Sequence, residues 1–207
     1  MNNVELYDIA ERSVVEEELT SSEIPNIDLY VDQIINLVSE KNSDSSERYR
    51  DRQLTKTMIN NYSKDGLITP VKGKKYSKEQ IIQILSIYTL KNTLSMGEIK
   101  RLIDGAYAIE GYDGTALAET YDRYIAIKRE NREYSVEILS ELMRENRLDI
   151  ENEKDFMLIV GSLLSLSASL KNIAQELIDV KYPVADPEPE KTKKEKKKKK
   201  SADMSEE

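Results

Sequence analysis

The sequence predicts an all-α protein, and three observations carry that expectation. Apolar side chains recur three and four residues apart through most of the chain, the spacing of one helix face. Only 7 Gly and 5 Pro punctuate its 207 residues, so strong breakers are few. Much of the remainder consists of good helix formers.

Taken in order, Met1 to Glu23 is polar and acidic, with Val4, Leu6 and Ile9 weakly apolar; it reads as a flexible arm or a short helix. Ile24-Pro25-Asn26 breaks it. A helix is expected from Asp28, with Leu29, Ile34, Ile35, Leu37 and Val38 as its apolar face. Lys41 to Gln53, KNSDSSERYRDRQ, reads as a polar loop. Thr55 is placed to cap a helix that buries Met58, Ile59 and Tyr62, and Gly66 to end it in a left-handed turn. Leu67 and Ile68 return to the core. Ser77 caps the next helix, with Glu79 in its first turn and Ile81, Ile82, Leu85, Tyr88 and Leu90 apolar. Ser95 caps another, carrying Met96, Ile99, Leu102 and Ile103.

Gly111 to Gly114 reads as a linker. Two helices are expected beyond it, over 115–131 and 134–146, burying Leu117, Tyr121, Tyr124, Ile125 and Ile127 in the first and Val136, Leu139, Leu142 and Met143 in the second. Glu153 to Val180 is the longest and most apolar segment, and its stripe is broader than one neighbouring helix needs. It reads as the central core helix of a bundle or, in part, as a seam between molecules. Pro183, Pro187 and Pro189 end the fold. Lys191 to Lys200, KTKKEKKKKK, is low-complexity charge that cannot build a core. Residues 183–207 are thus expected to form a disordered Lys-rich tail, either a solubilising end or a tether to nucleic acid or an acidic partner.

Composition narrows the function. With no Cys there are no disulfides, thiolate metal sites or Cys nucleophiles, and with no His the commonest general base and metal ligand is missing. The carboxylate pair Glu137/Glu141 and the run Glu16/Glu17/Glu18 read as solvated faces. Gly111 to Gly114 lacks the Lys-Ser/Thr of a phosphate loop. No enzyme, no metal and no cofactor is expected. No apolar run approaches the ~18 residues of a membrane span, and the acidic start is unlike a signal peptide. A cytoplasmic protein is expected, without a membrane partner.

Charge is the sharper guide. The net charge is −8, yet residues 54–103 hold nine basic side chains against three acidic ones. Local charge, within a Debye length of ~8–10 Å, governs attraction to a polyanion. With Met58, Ile59 and Tyr62 turned inward, Lys56, Thr57, Asn60, Asn61 and Lys64 project outward. Asn can pair with adenine in bidentate fashion, and Lys meets phosphate or guanine. Lys72, Lys74 and Lys75 sit beside Tyr76 around Gly73, where a wing would meet the backbone of a duplex.

These residues carry a resemblance. Ile59, Tyr62, Gly66, Leu67, Ile68 and Pro70, followed by Gly73-Lys74-Lys75-Tyr76-Ser77, resemble the winged helix-turn-helix of MerR-type regulators. Leu94 to Lys100 with Leu102 resembles the helix that closes that fold. From Ile24 onward the spacing more closely resembles the uncharacterised YkrK-like bacterial family, a family without an established activity. Where MerR-type heads carry an Arg-Tyr pair, this chain has Asn60 and Asn61, and its wing is shorter.

The expected organisation is a flexible acidic arm over 1–23, a MerR-like helix-turn-helix domain over 24–106, a C-terminal helical bundle over 112–182 and the tail. The resemblance implies a DNA-binding transcriptional regulator. Lys56, Thr57, Asn60, Asn61, Lys64, Lys72, Lys74, Lys75 and Tyr76 would contact double-stranded DNA. The C-terminal helices would form a homodimer or sense an effector. The alternative is a helical protein–protein adaptor that uses the same basic surface for an acidic partner.

Overall fold

A computed structural model describes residues 2–184, and the rest of the Lys-rich tail lies outside them. Among the described residues the protein is mostly helical, with eight α-helices and one two-stranded ladder. In order these are α1 (Asn3–Ser13), β1 (Leu29–Tyr30), α2 (Val31–Lys41), α3 (Glu47–Arg50), α4 (Lys56–Lys64), β2 (Lys75–Tyr76), α5 (Lys78–Leu90), α6 (Met96–Tyr107), α7 (Gly114–Asn146) and α8 (Glu153–Lys181). The expected caps form. The side chains of Thr55, Ser77 and Ser95 accept the backbone N–H groups of Met58, Gln80 and Glu98. Each satisfies a donor that the first turn leaves without a partner. Within the expected polar loop, Asn42–Asp44 makes a 3-10 turn and Glu47–Arg50 a single helical turn.

The main core is built around α5. Ile81, Ile82, Ile84, Leu85 and Ile87 are buried on nearly every side of that helix, against Ile34 of α2, Ile59 and Tyr62 of α4, and Ile99 of α6. Such an all-round apolar helix must be enclosed by neighbours. The core also takes in Leu19 before the expected start of the head, and Leu117, Tyr121 and Ile125 of α7 beyond its expected end. The Tyr121 hydroxyl donates to the carbonyl of Leu19 at 2.7 Å. The linker at 111–114 therefore does not separate two cores, because the helix it leads into packs back on α5.

Residues 1–23 are more ordered than an acidic arm would be. A reciprocal cap between Asn2 and Glu5 starts α1, and Leu6 is buried with Leu139, Met143, Ile150 and Ile159 in a second cluster. The acidic run that follows is not the solvated face its composition suggested. Lys128 bridges Glu16 at 2.6 Å and also pairs with Glu18, whose other oxygen accepts from Arg132 at 2.8 Å. Burial pushes the Glu18 carboxyl up despite Lys128 beside it. Burial pulls the Lys128 ammonium down, but its hydrogen bonds to Glu16 and Glu18 outweigh that and leave it raised.

Two expectations for the C-terminal half need correction. The helices expected over 115–131 and 134–146 are one continuous helix, α7, because no Gly or Pro lies between them to break it. The last helix is not the centre of a bundle: Ile159 and Ile178 are its buried residues, and most of its apolar stripe faces outward. An 18-residue window of it reaches a mean hydropathy of 1.5, long and apolar enough by composition to cross a membrane. The expectation that no run approaches a membrane span thus does not hold for mean hydropathy, although the stretch without charge runs only from Phe156 to Leu170. Its C-terminal end is held on α6. Arg101 donates to the Tyr182 carbonyl and to Asp179, both at 2.7 Å, and Gln175 donates to Glu98 at 2.7 Å. The Tyr182 ring lies over Gly105, where an added Cβ would sit 2.3 Å from a ring carbon.

Candidate nucleic-acid interface

The α4 helix presents two unlike faces. Ile59 and Tyr62 are buried, while Lys56, Thr57, Asn60, Asn61 and Lys64 are all exposed. At roughly 1.5 Å per residue, a nine-residue helix is about 13 Å long. Its diameter with side chains, about 10–12 Å, is what the ~12 Å wide major groove of B-DNA admits. The outward stripe offers two carboxamides between two ammonium groups and carries no acidic side chain. Two further cations border it. Lys91 reaches the Met58 sulfur at 2.9 Å and lies over the Tyr88 ring, and Lys100 reaches the carbonyl of Gly66 at 3.4 Å. Burial lowers the pKa of Lys91. Sequence reasoning counted both lysines in the basic segment but did not place them beside α4.

After α4 the chain turns at Gly66, whose φ of 65° is the left-handed conformation expected of it. It then enters the core at Leu67 and Ile68 and leaves it again at Pro70. The exposed turn Lys72-Gly73-Lys74 follows, with Gly73 at φ 82°. Lys75 and Tyr76 pair antiparallel with Tyr30 and Leu29, a strand from before α2. That pairing sorts the basic residues. Among the described residues Lys72 and Lys74 have no partner, Lys75 lies 4.9 Å over the Tyr30 ring, and Tyr76 is buried in the core. Tyr76 was expected at the interface; its ring is not available to a duplex. The other eight expected residues are exposed, on α4, on the turn or, for Lys75, on β2.

The residues that hold this surface in place were missed. Gln80 and Gln83 are buried inside the apolar run of α5. Gln83 accepts the Thr69 N–H at 2.9 Å and donates to the Tyr107 hydroxyl. Gln80 accepts from Ser77 N–H and donates to the carbonyls of Thr69 and Pro70, at 3.2 and 3.1 Å. Together they pin the loop between α4 and the basic turn. A Gln on a helix that is otherwise apolar all round requires a buried partner, and that was the available signal.

A family model described as a domain of unknown function, DUF1836, matches residues 19–124. The chain belongs to the DUF1836 family. No curated protein matches it, and neither does any solved structure. The DUF1836 match begins at Leu19 and stops one residue short of Ile125, so it nearly coincides with the main core. The α4 stripe, the basic turn and both buried glutamines lie inside the DUF1836 domain; α8 lies outside it.

Proposed function

We propose that this DUF1836 protein is a DNA-binding transcriptional regulator. Its head would work as a MerR-like winged helix-turn-helix, with α4 as the reading helix and Lys72-Gly73-Lys74 as a short wing. The observation that carries this reading is the outward stripe of α4: Lys56, Thr57, Asn60, Asn61 and Lys64 exposed together, in a basic segment of an acidic chain. Lysines would place the head on phosphates, and the two asparagines would read base edges. Function by equilibrium binding needs no catalytic group and no cofactor, and the cytoplasm is where such a protein would act. One head offers few contacts. Two heads joined through the C-terminal helices would double them on a two-fold site.

The outward apolar face of α8 favours a protein partner as well, so an adaptor that never touches DNA is the competing reading. Salt dependence on random duplex DNA separates the two. Each phosphate neutralised contributes about 0.9 to the slope of log K against log salt. A slope of several units, with enrichment of particular genomic fragments in a pull-down, supports the regulator. No measurable binding at 50 mM salt leaves the adaptor.

A further inference from the structure

The α8 helix carries a repeat that DNA contact does not use. Starting at Phe156, apolar residues follow at alternating steps of three and four: Ile159, Leu163, Leu166, Leu170, Ile173, Leu177 and Val180. In heptad lettering, Phe156 is an a position and Ile159 a d position, and no polar residue occupies either position as far as Val180. A strict period of 3.5 residues is the signature of a narrow seam between two supercoiled helices.

Among the described residues of one chain, the start of this seam is buried, and Leu166 and Leu170 line an open apolar groove with Leu90, Leu94 and Ile138. Ile159 is buried in the second cluster and Leu163 packs against it. Beyond them exposure climbs, from 38% at Leu166 through 55% at Leu170, 57% at Ile173 and 66% at Leu177 to 73% at Val180. The C-terminal end is held on α6 by Gln175, Asp179 and Tyr182. Two residues along a helix is a rotation of about 200°, so Gln175 lies opposite Ile173, and Asp179 opposite Leu177. The seam from Ile173 to Val180 therefore points away from α6.

The sequence of α8 says what covers it. A bilayer is a poor match: the stretch without charge runs only from Phe156 to Leu170, about 22 Å of helix against a hydrocarbon core of about 30 Å. Lys171, Glu176 and Asp179 follow, and Asp179 is paired with Arg101. The flanking e and g positions fit a close helical neighbour. Ser162, Ser167, Ser169 and Ala174 are small, and the last two flanking residues are Glu176 at g and Lys181 at e. In a parallel pair, g of one helix faces e five residues later on the other. Glu176 and Lys181 stand in that relation and carry opposite charge. An antiparallel pair centred on Ile173 would set them against Ser169 and Ser167.

We infer that Leu166 to Val180 forms a parallel two-stranded coiled coil with the same segment of a second copy, closed by Glu176–Lys181 pairs between the copies. This deepens the dimer proposed above by assigning its face, register and direction. It also places both heads at the same end of the seam, where α6 joins α8.

The full chain tests this without DNA. It has no Cys of its own, and a d residue of a parallel pair meets its own counterpart. Ile173→Cys should give a disulfide-linked dimer on mild oxidation, while the outward Ser165→Cys should not. Wild type should sediment as a dimer at micromolar concentration. Leu170→Glu with Leu177→Glu should sediment as a monomer of unchanged helical circular dichroism. Glu176→Lys or Lys181→Glu should each weaken the dimer by roughly fivefold, and the double exchange should restore it. A wild-type monomer at micromolar concentration overturns the inference, as does a monomer bound to phosphatidylglycerol vesicles. A dimer that links through Leu166→Cys with Val180→Cys but not through Ile173→Cys is antiparallel and overturns it too. If the Ile173→Cys link forms in a protein that ignores DNA, the regulator reading fails and this one stands.

Discussion

Gln83 holds Thr69: the side-chain oxygen of a residue in the middle of α5 accepts the backbone N–H of the loop after α4 at 2.9 Å. The same carboxamide donates to Tyr107 at the end of α6. One buried side chain thereby links the loop that leads to the basic turn with two helices of the core. Buried polar groups are stabilising only when fully partnered, so this link is sensitive to any change in shape or polarity.

Gln83→Leu keeps a similar volume but strands the Thr69 N–H and the Tyr107 hydroxyl. The expected loss is about 1–3 kcal/mol, the cost of leaving such groups unsatisfied. Urea unfolding followed by circular dichroism measures it. A midpoint equal to wild type would mean that the loop is held by its apolar contacts alone.

What was legible in the sequence was local. Thr55, Ser77 and Ser95 cap the helices they precede because a cap and its N–H partner lie three residues apart. Gly66 ends α4 for an equally local reason, its left-handed φ. The exposed stripe of α4 followed from helical periodicity once Ile59 and Tyr62 were placed inside. What was not legible depends on partners distant in the chain. Tyr76 is buried because β2 pairs with Leu29–Tyr30, a contact no local pattern announces. Glu18 is buried because Lys128 and Arg132 reach it from 110 and 114 residues away. The outward face of α8 left two readings open for the opposite reason: apolarity shows that a surface wants cover, not which molecule supplies it.

Within the proposed interface, charge and carboxamide should separate cleanly. Lys72→Ala with Lys74→Ala removes two exposed cations from the turn. It should weaken binding to all duplexes alike and lower the salt slope by about one to two units. Asn60→Ala or Asn61→Ala should instead compress the ratio of specific to random binding, by about 1–3 kcal/mol per good base pair contact. Titrations of both variants on a selected site and on random DNA decide it. Equal losses on the two DNAs for the asparagine variants would remove base reading from α4.

The hydroxyl of Tyr62 is buried with no hydrogen-bond partner among the described residues, and burial pushes its pKa up to about 12. The ring itself is needed, since it lies in the main core. Tyr62→Phe keeps the ring and deletes the unpartnered group, so it should raise stability by about 1 kcal/mol. Thermal melts of the two proteins provide the comparison. A variant that melts lower would show that the hydroxyl has a partner, such as a bound water.

The acid limb of stability should carry the mark of Glu23. Its carboxylate accepts from Lys41 at 2.8 Å and from the Thr20 N–H at 2.7 Å, and these bonds hold its pKa at about 2, down from 4.5. A carboxyl lowered on folding contributes stability that is fully present above pH 4.5 and is lost as pH falls toward 2. The side chain is 39% exposed, so solvent screening trims the contribution to about 0.5–1 kcal/mol. Glu18 acts in the opposite sense. Its raised pKa gives stability that is present below pH 4.5 and is lost as pH rises through its folded value. Comparing Glu23→Gln with wild type cancels that background. The stability difference should be largest at pH 7 and shrink steadily below pH 4.5. A difference that stays constant down to pH 3 would mean that the Lys41 pair contributes nothing to folding.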